Sequence, residues 1–332
     1  MTRGVVTITG TVVSVAHNED PSRSFLLFSH SAPAGSNPGC FHVSGQLTAT
    51  QVVFERLTTC GAAPIAWAIV TGAAGQVAVR HLTASQPANG ADPLFVSLSP
   101  QVDATGSFVL ASFTTEGNLW TGNDFMGVQL TPSRVEIHHS PEALTTQIRL
   151  QVVTMAGARV QRGITTLPVG IQAAAVPVAA DPARSWLLAG VHAVMGTTDT
   201  PVGIPVLGTL LPVDGSHLSV ALRRLPEPSP GHSVAVPWEL VELPAPITVV
   251  HGELVADVGA TAVAIPVAAY NSARDVVVAS YLLKGGLAET SSVVDAPMEG
   301  GWFALQGGSG GVQAVRLNAA ARASLSWFQL RF

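Results

Sequence analysis

The stretch Ser107-Phe108-Val109-Leu110-Ala111-Ser112-Phe113 (SFVLASF, residues 107–113) is written four times in this chain, with drift. A close copy, SFLLFSH, stands at 24–30; SWLLAGV follows at 185–191 and DVVVASY at 275–281. After each copy comes a Gly/Ser/Asn-rich segment and then an alternating strand, at 41–47, 125–130, 204–210 and 302–306. A tight turn and a second alternating strand follow (QVVFERL, RVEIHH, HLSVALRRL, VQAVRL). The unit closes on 65–70, 148–153, 236–243 and 325–332. Self-similarity at such a period marks a repeat architecture.

The spacings repeat as well. Phe25 lies 42 residues before Trp67, and Phe108 lies 42 before Leu150. Trp186 to Trp238 is 52 residues and Val276 to Trp327 is 51, so the units fall into a short pair and a long pair. A further shared piece opens each unit: VTITG (6–10), VAVRH, VQRGI and VVHGE. Read this way, His81 and His251 fall in one slot, where Gly163 stands in a third unit. The boundaries predicted are 1–74, 75–156, 157–245 and 246–332.

The texture is β throughout. Apolar residues alternate with Thr, Ser, Gln and Arg over short runs, separated by Gly, Pro, Asn and Asp. With 32 glycines and 23 prolines there is little room for helix, and one turn near Pro141–Thr146 is the only helical candidate. VDGS (213–216) and GGSGG (307–311) sit where hairpin turns need positive φ. The fold class predicted is all-β: four tandem β-sandwich or barrel-like repeats of about 75–90 residues, arranged as two pairs. SFVLASF is apolar on both faces, Phe108 and Leu110 on one, Val109, Ala111 and Phe113 on the other. A strand covered on both sides is expected at the middle of its repeat. The predicted core is Phe25, Phe108 and Trp186 on these phrases, with Trp67, Trp238 and Trp327 on the closing strands.

Composition narrows the function. The chain has 332 residues, 47% hydrophobic and only 11% charged, with a net charge of −5. Two explanations stand: a chain that hides much surface against partners, or a neutral Thr/Ser/Gln surface. No basic cluster exceeds Arg223–Arg224, which disfavours nucleic acid. The longest charge-free apolar run, Ile164–Ala180, is shorter than a membrane helix and holds two prolines, so it is expected to form strand plus loop and not to enter a membrane. The start, MTRGVVTITGTVV, lacks an unbroken apolar stretch, so no signal peptide is predicted. Cys40 and Cys60 flank the hairpin predicted about Thr50. A cross-strand bridge is geometrically open, while two buried thiols suit a protein made in the cytoplasm.

No motif carries chemistry. Gly307-Gly308-Ser309-Gly310-Gly311 spells G-x-S-x-G, but a nucleophile elbow needs a helix after the serine, and a strand follows here. The ten histidines show no metal-ligand spacing, and His138 and His139, adjacent on a strand, point to opposite faces. Asp20, Asp103 and Asp181 each precede a core phrase, as Asx-type turns do. No catalytic set, cofactor loop or metal site is predicted, and the chain reads as a non-enzyme. Trp120, in the loop GNLWTGND, is the candidate ligand contact, able to stack on a sugar ring. Tyr281 and Trp302 also lack equivalents in the other units.

The repeated phrase at Ser107–Ser112, with Gln151–Val153 and Val160–Gly163, resembles β-rich repeats of tailed-bacteriophage virion proteins. The match fades through the third and fourth units, where Gly190 and Asp275 depart from it. The resemblance implies a structural tail, appendage or capsid-surface component, made in the host cytoplasm and located in the virion. It would assemble into a symmetric oligomer with itself and with other virion proteins. The alternatives are a carbohydrate-binding host-recognition protein, contacting a surface glycan through Trp120, and a cellular surface or filament subunit.

Overall fold

The computed structural model describes residues 1–332 except 33–37, 116–123, 140–144, 194–205, 215–216, 225–231, 268, 285–302, 309–310, 318 and 320–321. Nearly all of the described regular structure is antiparallel β-strand, in eight small sheets. The first repeat shows the plan. Strands β1 (Thr2–Ile8), β2 (Val12–Ala16), β3 (Ser24–His30), β4 (Ser44–Leu47), β5 (Gln51–Glu55) and β6 (Ala63–Thr71) form two sheets, ordered β1-β6-β3 and β2-β5-β4.

The same order recurs three times. Strands β7 (Val77–Gln86), β8 (Leu94–Ser97), β9 (Ser107–Thr115), β10 (Met126–Leu130), β11 (Arg134–His139) and β12 (Thr146–Met155) form β7-β12-β9 and β10-β11-β8. Next come β13 (Arg159–Leu167), β14 (Ala173–Ala179), β15 (Ser185–Ala189), β16 (His192–Ala193), β17 (Val206–Pro212), β18 (His217–Arg224) and β19 (Val234–Glu242). They form β13-β19-β15, with β16 also on β19, and β14-β18-β17. Last are β20 (Thr248–Ala256), β21 (Ala262–Ile265), β22 (Asp275–Lys284), β23 (Ala304–Gly308), β24 (Gly311–Val315) and β25 (Arg322–Arg331). Their sheets are β20-β25-β22 and β21-β24-β23.

The SFVLASF phrases are β3, β9, β15 and β22, and each is an edge strand. The expectation of a middle strand is corrected: the closing strands β6, β12, β19 and β25 hold the centre. The second cover on the phrase comes from other repeats. Val109 faces the inside of its own sandwich with Val135 and Ile137. Phe108, on the opposite face, meets Phe25 edge-on at 6.1 Å and Trp186 at 5.7 Å. One apolar cluster runs through Phe25, Phe108, Trp186 and Val276, drawing one phrase from every repeat. Trp67, Trp238 and Trp327 are buried as well. The phrase begins with Ser because its hydroxyl ties the edge strand down: Ser24 Oγ lies 2.9 Å from Thr71 Oγ1 and Ser107 Oγ 2.8 Å from Thr154 Oγ1 on the neighbouring strand.

Where the closing strand carries Trp, the facing residue is glycine. Gly4 pairs with Trp67, Gly163 with Trp238 and Gly252 with Trp327. A Cβ on Gly163 would stand 2.8 Å from the Trp238 ring, and one on Gly252 2.9 Å from Trp327. In the second repeat the pair is Leu82 and Leu150.

Among the described residues, helix is found at Pro38–Phe41, in 3₁₀ turns ahead of three edge strands, at Pro21–Arg23, Ala104–Gly106 and Pro182–Arg184, and at Asp124. The single turn expected near Pro141–Thr146 falls mostly outside the described residues, at 141–144; Thr146 itself opens β12. The run Ile164–Ala180 is strand, turn, strand. Cys40 and Cys60 form a disulfide with a Cα–Cα distance of 5.6 Å, which corrects the expectation of two thiols. The bridge is not cross-strand; it joins the Pro38–Phe41 turn to the segment after β5.

Candidate functional site

Buried polar residues recur where repeats meet. The meetings are head to tail and cyclic, first to second, second to third, third to fourth, and fourth back to first. Identical heterologous contacts close a ring when their rotation sums to a full turn. Three kinds of contact recur around it.

In the first kind, the opening strand grips the start of the preceding edge strand. His81 Nε2 lies 3.0 Å from Pro21 O and 3.1 Å from Ser24 O. Arg162 donates to Ala104 O and Ser107 O, both at 2.7 Å, and Arg3 donates to Asp275 O at 2.7 Å. Strand register places Arg3, His81, Arg162 and His251 in one slot, opposite Ala68, Gln151, Glu239 and Phe328. Gly163 lies one position further on, so the slot shared by His81, His251 and Gly163 in the sequence is corrected. The residue exchanged for histidine is arginine, which reaches the same carbonyls.

The second contact comes from the middle of the closing strand. Gln151 accepts from Leu26 N at 2.7 Å and donates to Leu26 O at 2.9 Å, so its carboxamide acts as one rung of a ladder on the exposed edge of β3. Glu239 does the same for β9, accepting from Val109 N at 2.9 Å. Its other oxygen takes Arg162 Nε at 3.0 Å. Burial pushes the Glu239 carboxyl up, against the opposing pull of Arg162 and of the Val109 amide. An edge strand is a liability unless covered, and these side chains cover it.

The third contact lies on the edge strand's far half. Ser112 Oγ accepts from Gly45 N at 3.1 Å, and Ser29 Oγ accepts from Leu305 N at 2.8 Å. Ser280 Oγ donates to Gly208 O at 3.4 Å. The third repeat has Gly190 here, and its Cα approaches β10 so closely that a Cβ would stand 2.8 Å from Gly127 Cα.

Asp20, Asp103 and Asp181 cap the 3₁₀ turns and accept from Ser22 N, Thr105 N and Ala183 N, each at 2.9 Å. Hydrogen bonds from the Ser22 hydroxyl, the Thr105 hydroxyl and the Arg184 guanidinium hold the three carboxyls below their usual range. Asn271 performs the task in the fourth repeat, accepting from Ala273 N. The histidines are dispersed among packing duties. His30 contacts Phe41 O, and His42 stacks on Phe113 of the second repeat with ring centroids 4.4 Å apart. Burial holds His30 down at about 4 and His42 at about 3. His139 is buried and His138 half-buried. Among the described residues, no group of three His, Cys, Asp or Glu is placed to hold a metal ion. Gly307–Gly311 spans the hairpin between β23 and β24, so strand and not helix follows. Ser309, Trp120 and Trp302 lie outside the described residues, as does the side chain of Tyr281.

A second set of residues escaped sequence reading. Arg56, Arg224 and Arg316 occupy matching ends of β5, β18 and β24, almost wholly buried. Each donates to main-chain carbonyls of the turn joining its repeat's first two strands: Arg56 to Gly10 O, Arg224 to Pro168 O and Ile171 O, Arg316 to Asp257 O and Ala260 O. The signal was the recurrent Arg-Leu of FERL, RRL and VRL. At the turns so fixed, Val169, Ile171 and Val258 are exposed, and so are Leu57 and Leu317 beside two of the arginines. Exposed aliphatic side chains therefore mark the rim at the matching end of three of the four sandwiches, beside turns that buried guanidinium groups hold.

In comparison with known proteins, no family model matches the chain and no curated protein is detectably similar to it.

Proposed function

We propose that the chain is a non-enzymatic building block of a tailed-bacteriophage particle, a tail, appendage or capsid-surface component that joins other copies and other particle proteins. The observation that carries this reading is the recurrence of exposed aliphatic residues on or beside arginine-clamped turns in three repeats. Scattered apolar side chains on a surface are ordinary, but ones on preorganised backbone lose little conformational entropy on docking. The low charge of the chain suits such a role, since few charges need be desolvated when surfaces meet. The polar groups of the interior support it too: His81, Gln151, Arg162 and Glu239 are engaged in holding repeats together.

The reading is tested by the assembly state of the purified protein. Light scattering over a micromolar concentration series should show a defined oligomer, and Ile171→Asp combined with Val258→Asp should return it to single chains with unchanged circular dichroism. A wild-type protein that stays a single chain throughout, and that is missing from purified particles, would sink it.

A further inference from the structure

The four junctions carry unlike residues at one position: Gln151 in the first, Glu239 in the second and Phe328, tilted against His251 at 5.8 Å, in the third. Between the fourth and first repeats the matching residue is Ala68, beside a cavity of about 160 Å³. A second cavity, of about 240 Å³, lies beside Gln151 and Glu239, but there those side chains already meet the amides of Leu26 and Val109. Arg3, Trp67, Ala68, Tyr270 and Val277 line it, with exposed Val5 and Gly307 at its mouth.

This cavity keeps the partners of a missing carboxylate. In the junction of the second and third repeats, the Glu239 carboxylate is bound by Arg162 Nε and by the amide of Val109. Register makes Arg3 the counterpart of Arg162 and Val277 the counterpart of Val109. Arg3 already copies Arg162 in donating from its Nη2 to the first carbonyl of the neighbouring edge strand. Its other end-nitrogen contacts the Tyr270 hydroxyl. Arg3 Nε is buried without a hydrogen-bond partner. Leu26 and Val109 show which way the Val277 amide points: at this register, N–H and C=O face the following repeat. Among the described residues no side chain meets them. The nearby Asp275 carboxylate is already engaged by Asn271 N and Gln329 Nε2, each at 2.8 Å, and lies 3.6 Å from Arg331.

We propose that this cavity is a binding site for a small monocarboxylic acid with a compact apolar body. Its carboxylate occupies the position that Glu239 fills two junctions away, accepting from Arg3 Nε and the Val277 amide. A buried donor without a partner is costly, and two donors beside an unfilled volume, the same pair that binds Glu239, select an anion with several acceptor lone pairs. The volume sets the size, since an apolar protein cavity of about 150 Å³ takes up benzene. Val276 and Leu305 favour an aliphatic or aromatic body over a polar one.

Thermal unfolding of the full chain tests this with acetate, butyrate and benzoate against butyramide, benzamide and chloride, at constant pH and ionic strength. Binding to the native state alone raises Tm with the logarithm of ligand concentration. Butyrate or benzoate should act at concentrations about tenfold or more below the matching amide, a difference a charge-assisted bond readily supplies. Arg3→Gln should abolish the difference between acid and amide. Ala68→Glu, which supplies the carboxylate from within, should raise Tm and remove the response to added acid. Equal responses to acid, amide and chloride would overturn the site, as would an undiminished acid response in Arg3→Gln. If Ala68→Glu does not fold, the Arg3→Gln titration decides alone.

Discussion

The two sheets of each repeat are built to different rules. The first strands of the outer sheets alternate: β2 is exposed at every second residue, and β14 nearly so. The closing strands of the hub-side sheets do not. Of the nine residues of β6, seven are fully buried, and β19 and β25 are buried almost end to end. An alternating strand answers to one neighbour and a continuous apolar strand to two. Here the second neighbour is another repeat, so the stability of each sandwich and the closure of the ring rest on the same residues.

The contrast can be broken most strongly with acid. His30 and His42 are buried beside the first junction and held neutral, at about 4 and about 3, below the ordinary histidine value of about 6.5. His42 faces Asp124 at 3.9 Å, with His30 and His139 nearby, and Arg56 acts on His30. The unfolded chain takes up these protons before the folded one does, so stability is full above about pH 6.5 and falls as pH is lowered toward 4. For two such groups the loss at pH 4.5 is on the order of 5 kcal/mol. Denaturant titrations at stepped pH should show it. Removing His42 should flatten the slope.

The next effect is in packing. Phe108→Ala should lower unfolding free energy by about 3–5 kcal/mol, since it empties the hub shared with Phe25 and Trp186. Phe95→Ala, on an outer strand with its ring beneath Arg134 and half exposed, should cost under about 1 kcal/mol. Comparable losses in urea melts of the two variants would erase the distinction between the sheets. A polar pair sharpens it further. Gln151→Ala strips Leu26 of both partners and should cost about 1–3 kcal/mol, whereas Gln147→Ala, four residues earlier and bonded to Ser85 at the surface, should be nearly neutral. Smallest of all is Ile171→Ser on the rim, with a change in stability within about 0.5 kcal/mol; its effect should appear in self-association measured by sedimentation.

The sequence made the outer strands legible because each reports a single environment. Alternation located β5, β11, β18 and β24 and the hairpins before them. Repetition of SFVLASF gave the number of units, and Asp20, Asp103 and Asp181 announced their turns. What stayed hidden depended on partners distant in the chain. Phe108 has an apolar neighbourhood whether its cover comes from its own repeat or the next, so an edge strand was taken for a middle one. Gln151 and Glu239 looked like the polar half of ordinary strands, because nothing local tells that their acceptors meet the amides of Leu26 and Val109, more than 100 residues away. The cavity was hidden for a related reason. Ala68 is unremarkable in its own strand and informative only beside its three counterparts.

The glycine facing each tryptophan sets a limit on how these repeats can drift. Volume in that layer is divided between two strands, so neither member can change size by itself. A side chain added at Gly163 would collide with the Trp238 ring, and shrinking Trp238 first would leave a void where the glycine offers nothing to fill it. The second repeat has reached the other solution, with Leu82 opposite Leu150. Passage between the two crosses an intermediate that is either overfilled or hollow, which makes these positions inherit as couples.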